Sequence, residues 1–84
     1  MSELSKMMNI GKVVAEQLVQ VGIETPEKLR EVGAKDAWLR IKAIDDSACI
    51  HRLYAMEGAV RGVKKTELPQ EVRAELKAFY EANK

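Results

Sequence analysis

The feature that most limits what this chain can become is the spacing of its apolar residues. They recur at intervals of three and four, in short runs cut by glycine and proline. They nowhere alternate with polar residues as a half-buried strand requires. Such a pattern makes short amphipathic helices joined by tight corners. The first segment reads as Glu3 to Met8, with Leu4, Met7 and Met8 as its apolar edge and Ser2 as its cap, and stops at Asn9-Ile10-Gly11. The second, Lys12 to Val21, carries Val14, Ala15, Leu18 and Val21 on one face; Gly22 ends it and Ile23 folds back onto its last turn. The third opens on Thr25 as cap with Pro26 in the first turn, turns Leu29 and Val32 inward and stops at Gly33. The fourth, Ala34 to Ala43, has Ala37, Trp38, Ile41 and Ile44 as its stripe. Asp45-Asp46-Ser47 reads as the cap of the fifth, Ala48 to Gly62, whose wide apolar face predicts a central position. Pro69 opens the sixth, with Val72, Leu76, Phe79 and Tyr80 facing inward. The expected fold is all-α: a compact domain of five to six short helices at varied angles, containing a helix-hairpin-helix-like motif.

Eighty-four residues have room for one domain, spanning 1–84, with a modest core. With a single cysteine, Cys49, and a single histidine, His51, the chain has no disulfide and no metal cluster to hold it, so helix packing or self-association must do so. One cysteine, no long apolar run and no secretory leader at the N-terminus point to the cytoplasm. No phosphate loop or paired nucleophile and base is present, which excludes the common enzyme classes and leaves no cofactor to expect. Charge is even, with 14 basic against 13 acidic side chains, and both halves are balanced. A wide phosphate-gripping footprint is usually visibly basic. Contact with nucleic acid must therefore be local, through backbone amides and a few lysines.

The stretch Met8 to Leu18 offers such a place. Asn9-Ile10-Gly11, followed by Ala15 and Leu18, resembles a helix-hairpin-helix motif in which Asn9 replaces the first glycine, a swap that the left-handed tolerance of asparagine allows. Ile10 is expected to plug the gap between helices, Gly11 to leave amides uncovered at the next helix start, and Ala15 to permit close approach. Free amides at a helix start, with the helix dipole, make a phosphate-binding concavity. Lys12 and Lys6 add charge. The same turn chemistry also serves a plain helix-turn-helix corner. Arg61, Lys64 and Lys65 form the tightest basic cluster and would extend the surface if folded beside the hairpin. The candidate nucleic-acid-binding residues are therefore Lys6, Asn9, Ile10, Gly11, Lys12, Arg61, Lys64 and Lys65.

Three blocks taken in order are similar to the C-terminal domain of the TfoX, or Sxy, family of bacterial competence regulators. They are Asn9-Ile10-Gly11 with Ala15 to Leu18; Val21-Gly22-Ile23, Thr25, Leu29 and Val32-Gly33-Ala34; and Leu53 to Ala59 with Gly62 and Leu68-Pro69. The resemblance implies an all-helical fold related to helix-hairpin-helix domains and a regulatory setting. In those regulators an N-terminal domain precedes this one, and a stand-alone copy is expected here. The ligand read from these features is DNA or RNA; the alternative is a protein partner or a second copy of the chain.

Other residues read more plainly. Glu57 is expected to be partly buried and paired with Arg61. Cys49 reads as a small core residue, His51 as surface, and Trp38 as a core or interface anchor. Gly58 and Gly62 leave one helix face bare, against which another helix is expected to pack.

Overall fold

The computed structural model describes residues 3–84, and the cap expected at Ser2 lies outside them. Its five α-helices are α1 (Lys12–Gln20), α2 (Pro26–Val32), α3 (Ala34–Ile44), α4 (Ile50–Arg61) and α5 (Gln70–Asn83). Two 3-10 turns, Glu3–Lys6 and Lys65–Glu67, precede α1 and α5, and no strand occurs among the described residues. The all-α reading is thus borne out, with the first of the six segments tightened into a 3-10 turn. Leu4 is buried and Met7 packs on the core, but Met8 points outward at 44% exposure, because the chain leaves helical geometry before Met8 can share their face.

Local chemistry explains the corners. At the end of α1, Gly22 takes φ 86° and its amide donates to the carbonyl of Val19, while the amide of Ile23 donates to that of Leu18 at 2.8 Å. This is a Schellman ending, and it buries Ile23 completely. The Thr25 side chain accepts from the Lys28 amide, and Pro26 opens α2 as expected. Gly62 ends α4 as Gly22 ends α1: at φ 76° its amide donates to Ala59, and that of Val63 donates to Gly58.

The helix α4 is central, packing against α2, α3, α5 and the second 3-10 turn. Trp38 anchors the core with no exposed surface. It meets Phe79 and Tyr80 edge-on, and its Nε1–H donates to the Cys49 carbonyl at 3.2 Å. Two details differ from the sequence reading. Ile44 ends α3 at 52% exposure instead of completing the buried stripe. Cys49 is an exposed N-cap, because α4 begins at Ile50 and the cysteine lies on the loop before it.

Asp45 is not the cap of α4 either. Its carboxylate accepts from the amide and hydroxyl of Ser47, closing a turn, and from Gln17 of α1 (2.7 Å) and Arg52 of α4 (3.0 Å). Arg52 also donates to Gln17. The Ser47 hydroxyl first, then Arg52, the Ser47 amide and Gln17, hold the Asp45 carboxyl well below the usual carboxylate range. A carboxyl so depressed stabilises the fold above the unfolded-state value, near 4, and loses that contribution as pH falls further. Urea midpoints of the parent and of Asp45→Asn are therefore expected to keep a constant gap from pH 7 to about 4 and to converge as pH is lowered from about 4 towards about 2. Glu75, lowered in the same direction by Lys35, leaves a residual acid dependence in the variant. A pH-independent gap between the two proteins would show that the cluster contributes through packing and not through charge.

Candidate functional site

Asn9 joins the two parts of the candidate surface. Its backbone, at φ 71°, is the positive-φ position held by a residue other than glycine among the described residues. Asparagine enters this region more readily than most side-chain-bearing residues, so it fills the first glycine position of the hairpin. From there its amide group reaches the loop after α4. Nδ2 donates to the Val63 carbonyl at 2.9 Å and, more weakly, to that of Ala55 at 3.4 Å; Oδ1 accepts the Lys65 amide at 3.1 Å. Gly58 makes room for this bridge. A β-carbon there would sit 2.5 Å from Asn9 Nδ2 and 2.7 Å from the Val63 oxygen.

What packs on Gly58 is thus a side chain and a loop, where the sequence suggested a helix. Gly62 has no neighbour in the way of a β-carbon; its positive φ explains it. The two glycines, four apart, serve unrelated needs.

The rest of the hairpin follows its sequence closely. Ile10 is buried between the elements, and Ala15 is buried on α1. Gly11 is the N-cap of α1, extended at φ −88° and ψ −179°, and no side chain caps the helix start. A β-carbon on Gly11 would meet nothing within 4 Å, so the approach to the start of α1 is open on that side. Lys12 is exposed at the first position of α1, and Lys6 is exposed at the end of the first 3-10 turn.

Across the Asn9 bridge, Lys64 and Lys65 are both exposed, and the Lys64 amide donates to Glu67. Hairpin and lysine loop are therefore neighbours, a proximity between residues 56 apart in sequence that no local pattern could announce. Arg61 is engaged elsewhere: its Nε–H binds Glu57 at 2.6 Å, and its charge also acts on Glu75. Glu57 is largely buried along its side chain, as expected for that pair.

Chemically, the arrangement offers uncapped amides and exposed ammonium groups, a set suited to anionic oxygens. Among the described residues no group of three or more His, Cys, Asp or Glu is arranged to hold a metal, and no helix is long and apolar enough to cross a membrane.

The sequence pattern of the TfoX C-terminal domain matches residues 1–80. The chain belongs to that family. Protein Sxy of Escherichia coli (strain K12) is 37% identical over 59 residues, which are 70% of this TfoX C-terminal domain and 28% of Sxy. The chain thus aligns with less than a third of that relative's length. Two crystal structures from Listeria monocytogenes share the fold. One, of an uncharacterised protein in a triclinic form, has 46% identity and a TM-score of 0.93, covering 94% of this chain and 90% of the other. The second, of a protein of unknown function in a tetragonal form, has 44% identity and a TM-score of 0.94, covering 96% and 100%. No enzyme family is among these matches.

Proposed function

We propose that this TfoX C-terminal domain is a non-enzymatic binding module of a regulatory system, and that it grips nucleic acid weakly and without reading sequence through the hairpin at Asn9 to Lys12. The observation that carries the reading is the Asn9 bridge, which sets the Lys64–Lys65 loop beside uncapped amides of α1. One phosphate lies against the amides while Lys12 and Lys65 meet its neighbours on the strand; Lys6 and Lys64 border the same surface, and Arg61, paired to Glu57, contributes least. Such contacts position a backbone and leave the bases unread.

Fluorescence anisotropy of labelled duplex DNA tests this. Binding is expected at low salt in the range of about 1–100 μM, falling steeply as salt is added. Lys12→Glu and Lys65→Glu are each expected to weaken it about tenfold and to reduce the salt slope by about one. Arg61→Gln should change little. Absence of binding at about 100 μM would overturn the proposal.

A protein partner is the second reading, favoured by Met8 and Val13, which flank the hairpin at 44% and 61% exposure. It requires a salt-tolerant complex, or a mass that rises with concentration, lost on Val13→Ser.

A further inference from the structure

A cleft of about 380 Å³ opens beside α5 and shares no lining residue with the hairpin surface. Its walls are Tyr54 and Leu68 on one side and Gln70, Arg73, Ala74 and Lys77 on the other. The four α5 residues fall at i, i+3, i+4 and i+7, a single stripe of one helix, so their side chains line the cleft together.

Two features of this stripe bear on what the cleft can hold. Neither Arg73 nor Lys77 is in an ion pair among the described residues, and Glu75, which lies between them in sequence, is held by Lys35. The Arg73 guanidinium also lies over the Tyr54 ring, 5.2 Å from its centre, while His51 meets that ring edge-on. A stacked guanidinium is held in orientation, yet its N–H edge stays free to donate to an oxyanion.

We propose that this cleft binds a compact phosphomonoester. The two unpaired cations, one helical turn apart, match the double charge that a phosphate ester carries near neutral pH, where its second pKa is about 6. Arg73 offers a planar fork and Lys77 a point charge, with the Gln70 amide at the end of the stripe. Leu68 and Ala74 supply apolar surface for the organic part of the ester. A carboxylate or an internal strand phosphate brings only one negative charge and leaves one cation unmatched.

Proton–nitrogen NMR of the labelled full chain, titrated at pH 7.5 with phenyl phosphate and separately with dimethyl phosphate, tests the assignment. Phenyl phosphate is expected to shift the amides of Tyr54, Gln70, Arg73 and Lys77 saturably, with half-saturation on the order of 1 mM. Arg73→Gln and Lys77→Gln should each weaken it about tenfold, the effect of removing one charge-assisted hydrogen bond. Both side chains are exposed, so the variants should keep the dispersed spectrum of the parent; Lys77→Gln carries the test if the loss of the Tyr54 contact perturbs the other. Dimethyl phosphate should bind several-fold more weakly. Equal binding of the two probes would overturn the choice of a phosphomonoester over a strand phosphate. Unsaturable shifts, shifts confined to residues 9–12, or unchanged affinity in both variants would overturn the site. Because the hairpin amides report separately, failure here is distinct from failure of the nucleic-acid proposal.

Discussion

Trp38→Ala is expected to remove a large fraction of the stability of the fold. The indole has no exposed surface, meets Phe79 and Tyr80 edge-on across the α3–α5 contact, and donates to the Cys49 carbonyl just before α4. Truncating a buried aromatic of this size costs about 3–5 kcal/mol, because the cavity persists once the contacts are gone. A domain of this length has a total stability of about 4–13 kcal/mol. The substitution therefore removes a large fraction of it and lowers Tm by at least about 12 °C in a thermal melt followed by circular dichroism. Trp38→Phe keeps most of the volume and loses the indole N–H, so it should cost about 1–2 kcal/mol. A drop of less than about 5 °C for Trp38→Ala would mean that α5 is held by other contacts, with Lys35 at Glu75 and Phe79 the next to examine.

The comparison between Trp38 and Asp45 shows which parts of this fold are legible in sequence. Trp38 belongs to a helical stripe with Ala37 and Ile41, and periodicity alone turns that stripe inward. The glycine endings at Gly22 and Gly33 and the Thr25-Pro26 start are equally local, since each satisfies orphan backbone groups within a few residues. Asp45 binds Gln17 and Arg52, which are 28 and 7 residues away, and its neighbours in sequence only suggested a helix cap. Cys49 departs from a core position for a related reason. A shift of two residues in the start of α4 takes a position from the helix face to the loop, and no cap residue fixed that start. The candidate surface divides along the same line. Asn9, Ile10, Gly11 and Lys12 follow from turn chemistry, whereas the Lys64–Lys65 loop joins them only through a tertiary bridge. The pairing of Arg61 with Glu57, at i and i+4, was visible in advance, and it is what draws Arg61 out of the basic cluster.

Asn9 and Gly58 provide the other large effect, and their combination tests whether the bridge is physically one unit. Asn9→Ala removes the hydrogen bonds to Val63 and Lys65 and forces a β-carbon without a polar group into left-handed backbone. With about 1 kcal/mol for each of the two shorter bonds and about 1 for the backbone, the expected loss is roughly 2–4 kcal/mol. Asn9→Gly frees the backbone and loses only the bonds, so it should cost about 1–2 kcal/mol, and the difference between the two variants isolates the conformational part. Gly58→Ala gains up to about 1 kcal/mol of helix propensity inside α4. Against that stands a β-carbon that would sit 2.5 Å from Asn9 Nδ2 and 2.7 Å from the Val63 carbonyl oxygen. The carbonyl belongs to backbone held by the Schellman ending of α4, so it cannot swing aside as a side chain does. Overpacking of about 1–3 kcal/mol therefore wins, and a net loss is expected. Because one of the two clashes is with the Asn9 amide itself, the double variant Asn9→Gly/Gly58→Ala should be less damaged than the sum of its parts, by about 0.5 kcal/mol or more in urea melts. Strict additivity would mean that the two residues do not press on each other. The carbonyl of Val63 alone would then be what excludes a side chain from position 58, and the Asn9 side chain would be free to leave the lysine loop without consequence for α4.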